Sequence, residues 1–299
     1  MRALPRKTKG YMMIFMAGAL WGTIGLFVKL LGTTGASPAL IAFMRIFMGC
    51  AILFVFMLVR YGPGIFKLDR SSLITCIALG ILTQALFNFF YNLSIESTGV
   101  ATASVLLYTA PIFVVILSII IFHEKITIRK VAAVLIDIIA CTFMVTNGDF
   151  SGMNIAAAGV LFGVLSGFLY SLVTIIGRVA TGNVHPMAAA FYGFLFGSLF
   201  LAILIHPWTE IAEVSSTTFW LYAFGYGLIP TVGSYLFYFH GLSRDLELSR
   251  VPVIASVEPI ISTVIGVLIF SEVWGIWKAL GIAGVILSII LINSGRKTS

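Results

Sequence analysis

The chain has 299 residues, 60% of them hydrophobic and only 10% charged, with a mean hydropathy of +1.10. A soluble domain carries about 25% charged residues because water must wet its surface, so a wholly soluble globule is excluded and lipid is the solvent expected around most of the chain. The net charge of +7 comes from Lys and Arg scattered over short loops, which fits membrane-facing loops rather than a nucleic-acid partner.

Apolar runs recur at 11–31, 38–59, 72–95, 98–122, 127–146, 155–177, 186–205, 217–242, 249–270 and 275–293, separated by turn sequences such as Gly62-Pro-Gly64, Asn147-Gly148-Asp149 and Gly182-Asn183. In a bilayer each segment must satisfy its own backbone polar groups, and runs of ~20 residues do so as helices. Their length excludes barrel strands. The first run follows Arg2, Arg6, Lys7 and Lys9. It is too long for a signal-peptide core and reads as an uncleaved first helix. Cys50, Cys76 and Cys141 all fall inside apolar runs and read as small hydrophobes. No Cys/His cluster points to a metal, no cofactor is expected, and the absence of a phosphate-binding P-loop argues against ATP drive.

The charges test the count. With ten helices and a cytoplasmic N-terminus, fifteen of the eighteen Lys and Arg residues fall on the inner face, from Arg2 to Arg296 and Lys297. The exceptions are Lys29, Arg45 and Lys278, while Glu96, Asp149, Glu210, Glu213 and Glu272 fall outside. This is the positive-inside bias. The expected fold is therefore an all-α membrane protein of ten transmembrane helices with both termini cytoplasmic, in a bacterial-type inner membrane.

The sequence also repeats itself. A shift of 148 residues places Ser37-Pro38 on His185-Pro186, Ala42-Phe43 on Ala190-Phe191 and Gly49 on Gly197. The same shift carries Pro111-Ile112 to Pro259-Ile260, Phe122 to Phe270, Glu124 to Glu272 and Lys130 to Lys278. Gly18-x-x-x-Gly22 corresponds to Gly163-x-x-x-Gly167 at a slightly smaller offset. The repeats span 11–146 and 155–293. Five helices is an odd number, so the second repeat enters the membrane inverted, an arrangement recurrent in secondary transporters that work by alternating access.

The order Leu20-Trp21-Gly22, Lys29, Arg45, then Tyr108-Thr-Ala-Pro111 through Glu124 and Val257-Glu-Pro259 through Glu272 resembles the EamA family of the drug/metabolite transporter superfamily. The resemblance covers nearly the whole chain and implies a ten-helix exporter of amino acids or related small metabolites.

Ionisable groups within the bilayer are costly, and few are present. Glu258 lies ~12 Å deep in the ninth helix at 1.5 Å per residue, and Arg45 lies at a similar depth from the other side. They are candidates for the charged ends of a zwitterionic substrate, with Glu258 also a candidate proton carrier; a structural ion pair is the competing reading. Pro259 and Pro111 each remove a helical amide donor, freeing the carbonyls of Ala255 and Leu107, and interrupted helices at matching positions point to a binding site. Asp137 in the fifth helix is a second candidate proton site. Trp21, Tyr91, Tyr108, Tyr170, Tyr192 and Tyr238 are candidate cavity-lining aromatics. His240 reads as a packing residue and Lys29 as a chain reaching the headgroups. Glu124 and Glu272, each with a lysine six residues on, are read as closing their turns by pairing or capping, with a gate latch as the alternative reading.

A membrane enzyme would need a reactive constellation. The best available is His206 with Glu210 and Glu213, without a recognisable catalytic motif, so no enzyme activity is expected. Lipid-linked, nucleobase or sugar cargo is the alternative within transport, but a phosphate would favour more than Arg45 and Lys29 in the cavity. The expected partners are a small-molecule substrate, protons and the lipid bilayer; monomer and homodimer both remain open.

Overall fold

A computed structural model describes residues 5–151, 153 and 155–294; Arg2, Arg296 and Lys297 lie outside them. Among the described residues all regular structure is helical. The long helical stretches are α1 (Arg6–Gly32), α2 (Pro38–Tyr61), α3 (Arg70–Thr98), α4 (Val100–Phe122), α5 (Ile128–Thr146), α6 (Ala157–Asn183), α7 (Pro186–Ile205), α8 (217–242), α9 (Leu248–Phe270) and α10 (Ile276–Asn293). Eight of them, all but α5 and α8, are long and apolar enough to cross a membrane. α5 carries Arg129, Lys130 and Asp137, and α8 is diluted by Tyr and Gly. α1 and α3 start before the apolar runs 11–31 and 72–95, at Arg6 and Arg70, because a helix need not stop where the hydrocarbon does.

The helix starts follow local chemistry. Ser37 caps α2 by accepting from the Leu40 amide with Pro38 in the first turn, and Asp69 accepts from Ser71 and Ser72 at the start of α3. Thr127 and Ser216 cap α5 and α8 in the same way. Each side-chain oxygen satisfies an amide that has no intrahelical partner.

The two halves interleave rather than sit side by side. α1 packs on α8 and α9, α6 packs on α3 and α4, α7 meets α2 and α3, and α5 pairs with α10. Two π-helical turns interrupt the long helices: Ile81–Leu86 in α3 and Gly227–Gly233 in α8. The shift of 148 carries the first onto 229–234, so the irregularity recurs at the matching place. Pro230 lies inside the second and removes one donor; Thr231 Oγ1 donates to the Tyr226 carbonyl there, at 2.8 Å. Such turns are rare and concentrate at functional sites.

Contacts at the two ends of the bundle differ. The end that carries the start of α1 is tied by Lys130 Nζ to Glu247 at 2.8 Å, Arg178 to Asp245 at 2.5 Å, and the Glu247 amide donating to the Tyr11 hydroxyl at 3.2 Å. The opposite end is tied by Glu210, which accepts from the Ser37 amide and hydroxyl, and by Lys29 to Glu272 at 2.9 Å.

Candidate functional site

Two helices break at equivalent points. α4 stops at Leu107 and restarts at Ala110; α9 stops at Ala255 and restarts at Val257. The shift of 148 takes Tyr108 to Ser256. Pro111 and Pro259 therefore fall in the first turn of a restarted helix, where a missing amide costs little. The interruption itself lies two to three residues before each proline. α1 carries a further break at Gly22-Thr23 that α6 lacks.

Glycines let backbone meet backbone at these breaks. A Cβ on Gly18 would collide with the Ala255 carbonyl, and one on Gly22 would lie 2.5 Å from Ile261 Cβ and 2.8 Å from the Glu258 carbonyl. In the other half, a Cβ on Gly163 would strike Leu106, and one on Gly167 would lie 2.7 Å from Thr109 Oγ1. The first helix of each repeat thus lies against the broken helix of the other repeat, a contact that small residues make feasible in lipid.

Between them lies a cavity of two lobes, about 240 Å³ and 500 Å³, which share Trp21, Tyr91, Tyr170 and Glu258 in their walls. The larger volume falls in the usual range for small-molecule sites. Pro38, Ile95 and Val100 line it toward the Ser37–Glu210 end, and Tyr238 lines it toward the other. The Trp21 ring sits 5.5 Å from Tyr235 and 4.9 Å from Tyr238, forming an aromatic floor.

Arg45 and Glu258 line the same smaller lobe, but no hydrogen bond or ion pair within 4.0 Å joins them. Arg45 is 8% exposed, and its Nε is buried without a partner. Of the aromatic candidates, Trp21, Tyr91 and Tyr170 line both lobes, while Tyr108 and Tyr238 line the larger one together with Pro111 and Pro259. Tyr91 shares a 3.0 Å hydrogen bond with Ser104, and Tyr238 one of 2.6 Å with Thr174. Tyr192 is a correction. It is absent from the cavity, turning its hydroxyl to the Phe66 carbonyl at 2.6 Å, because its position on α7 faces the segment following α2. The residues missed were Asn88, Asn92, Tyr226 and Tyr235 in the smaller lobe and Ser104, Ser256 and Ser262 in the larger. Gln84 donates to the Tyr235 hydroxyl at 2.8 Å. The available signal was Gln84, Asn88 and Asn92, three amides at four-residue spacing on one face of an apolar run.

Asp137 does not line the cavity. It is 1% exposed and accepts from Ser256 Oγ at 2.7 Å and Ser288 Oγ at 3.0 Å, so it holds the break in α9 from behind, between α5 and α10. Asp137→Asn keeps the shape and one acceptor. We expect it to lower stability in detergent by about 1.5–3 kcal/mol, the worth of a hydrogen bond to a charged group, and to leave pH-gradient stimulation of transport intact; a lost gradient response would make Asp137 a proton site.

Lys29 does not simply reach the headgroups: its Nζ pairs with Glu272 and lies 4.0 Å from the Phe270 ring centre. Lys29, hydrogen-bonded to Glu272, and Lys278, at 3.2 Å, together hold that carboxyl below the usual carboxylate range. Glu124 caps rather than pairs, accepting from the amides of Leu248 and Ser249, while Lys130 goes to Glu247. Burial pushes the Glu247 carboxyl up, but Lys130 and Arg250 outweigh it and hold the group low. His240 Nδ1 bonds the Leu236 carbonyl at 2.7 Å, a packing role. His206 ends α7 in the left-handed region with its ring against Trp208, and Glu210 is occupied by Ser37. Among the described residues no group of three or more His, Cys, Asp or Glu could hold a metal.

A multi-pass helical membrane protein with a duplicated architecture and a cavity between its halves is the class of a membrane transporter. The model of the EamA-like transporter family matches residues 8–146 and again 157–294, and the chain belongs to that family. It is 27% identical over 282 residues to an "Uncharacterized transporter" of Archaeoglobus fulgidus, covering 93% of this chain and 94% of that one. It is 23% identical to "Uncharacterized transporter YxxF" of Bacillus subtilis, covering 95% and 91%, and 23% identical to "Uncharacterized inner membrane transporter YicL" of Salmonella typhimurium, covering 95% of each. A solved crystal structure, 20% identical, superposes with a TM-score of 0.81 over 96% of both chains, a likeness of fold alone.

Proposed function

We propose that the protein is a secondary transporter that exports small zwitterionic metabolites such as amino acids across a bacterial-type inner membrane, without enzymatic chemistry. Arg45 takes the carboxylate of the solute and Glu258 its ammonium group, and Glu258 carries the coupling proton. The observation that carries this reading is the pair of charges that share one cavity without touching, Arg45 with an unpartnered Nε. Unpaired charges inside a bilayer are expensive, and a ligand with both signs would satisfy them together. Trp21, Tyr91, Tyr108, Tyr170 and Tyr238 shape the remaining wall.

The ten long stretches are membrane spans in this reading, five per repeat and inverted, with both termini cytoplasmic. In support, Arg6, Lys7, Lys9, Lys125, Arg129, Lys130, Arg244 and Arg250 belong to the segments at the tied end that holds the start of α1, as the positive-inside bias requires. The cavity then faces outward. A phosphate-bearing cargo is disfavoured because Lys29, the other candidate cation, is taken by Glu272.

The test is uptake of a labelled amino-acid panel into proteoliposomes with and without a pH gradient. Saturable, gradient-stimulated transport of one solute is the expected result; transport of none, with uptake of a sugar, nucleobase or lipid-linked solute instead, would overturn the choice of cargo.

A further inference from the structure

Glu124 and Glu272 occupy the same place in the two repeats. Each follows a residue in the left-handed region, His123 at φ 52° and Ser271 at φ 54°. Each donates its amide to the equivalent carbonyl, Ser118 at 3.2 Å and Gly266 at 3.1 Å. With matching local backbones, the two carboxylates nevertheless go to different partners. Glu124 accepts from the Leu248 amide, from the Ser249 amide at 3.1 Å and from Ser249 Oγ at 2.7 Å, and so holds the start of α9. The shift of 148 takes Leu248 and Ser249 back to Val100 and Ala101, the start of α4. Glu272 does not hold them; it is taken by Lys29 and Lys278.

The consequences are visible in exposure. Leu248 is 1% exposed, whereas Val100 is 63% exposed and lines the cavity. Gly99, at the head of α4, has no side chain to cap the first turn, and Thr102 Oγ1, next in that turn, is buried without a partner. One end of the molecule is latched and the equivalent latch at the other end is undone, on the side toward which the cavity extends.

We propose that Glu272 is a positioning residue for the transport cycle: in the opposite conformation its carboxylate leaves Lys29 and takes the first-turn amides of α4 at Val100 and Ala101, while Glu124 releases Leu248 and Ser249. Helix N-termini favour a carboxylate through their free amides and dipole, so each glutamate has a ready site when its end closes. The latches are unequal. Ala101 stands where Ser249 supplies a hydroxyl, so the second latch has one donor fewer. Gly99 stands where Glu247 receives Lys130, which leaves Lys278 on Glu272. Both differences favour the conformation described here, with the Glu124 end closed.

The inference rests on the alternating-access reading, but its test needs no substrate. Spin labels at Glu96→Cys and Val273→Cys, on exposed positions flanking the second latch, report the gap between α3 and the turn after α9. The native cysteines are buried. The expected result in liposomes is a long distance with a minor short one. The short one should grow about tenfold in Glu124→Gln, which weakens the engaged latch, and should also grow in Ala101→Ser, which restores the missing donor at little risk to folding. It should vanish in Glu272→Ala, which leaves no acceptor for the amides. An unchanged distribution in both Glu124→Gln and Ala101→Ser, or a short distance that persists in Glu272→Ala, overturns the latch. Distances that exchange as stated while every solute fails to move would instead sink the proposed cargo and leave the latch standing.

Discussion

Glu258→Gln is expected to lower transport of a zwitterionic solute about 10- to 100-fold in kcat/KM and to abolish stimulation by a pH gradient. The carboxylate is half-buried in the cavity wall with no hydrogen-bond partner of its own, so the solute ammonium is its natural counter-charge. A charge-assisted hydrogen bond contributes about 1.5–3 kcal/mol, and each 1.4 kcal/mol is a factor of ten. Glutamine keeps the volume and the carbonyl oxygen, so folding should survive, while neither the charge nor the exchangeable proton remains. Arg45→Met gives the complementary result. It should raise KM for the carboxylate-bearing solute by a similar factor and leave an analogue that lacks the carboxylate nearly unaffected. In the proposed binding mode Arg45 and Glu258 hold opposite ends of the solute, so the single effects should separate by ligand end. If Glu258→Gln transports at wild-type rates with the gradient effect intact, Glu258 is a structural acid; if Arg45→Met affects both analogues equally, Arg45 serves the bundle rather than the solute.

Gly22→Leu is expected to destabilise the native bundle and to lower transport. Its Cβ alone would lie 2.5 Å from Ile261 Cβ and 2.8 Å from the Glu258 carbonyl, and a backbone carbonyl cannot swing aside as a side chain can. Overpacking of a well-packed interior costs typically 1–3 kcal/mol. Here the displaced neighbour is the restarted helix that carries Glu258, so function should fall even where protein survives. Gly18→Val should behave alike, since its Cβ meets the Ala255 carbonyl. Gly32→Ala is the control, with nothing within 4 Å of the added carbon. Size-exclusion profiles and melting temperatures in detergent decide the matter: wild-type behaviour of Gly22→Leu would mean that α1 and α9 are not in close contact in the native protein.

The predicted runs from 11–31 to 275–293 each coincide with a long helical stretch because their signal is local. Twenty apolar residues in lipid have one economical backbone conformation, and a Ser, Asp or Thr before the run supplies the cap. The irregularities were harder to read. Pro111 and Pro259 marked α4 and α9, yet the π-turn at Ile81–Leu86 contains no proline, and it occurs where α3 must fit the glycines of α7: a Cβ on Gly197 would lie 2.6 Å from Gln84 Cβ. That demand comes from a neighbour far along the chain and leaves no trace in the segment itself.

The same division runs through the site. Composition, run lengths and the 148-residue repeat were sufficient to establish a lipid-embedded, duplicated helical protein and to single out Glu258 and Arg45, because an ionisable group deep within an apolar run is costly in hydrocarbon and rare. Tertiary structure decided who meets whom. It put Glu258 and Arg45 on one cavity without pairing them, turned Tyr192 to Phe66, and gave Lys29 to Glu272. It also decided that Glu124 is engaged while Glu272 is not. Their local backbones match, so the turn around each glutamate does not separate them; the difference lies in the distant helix start each one meets, and so in how the helices pack.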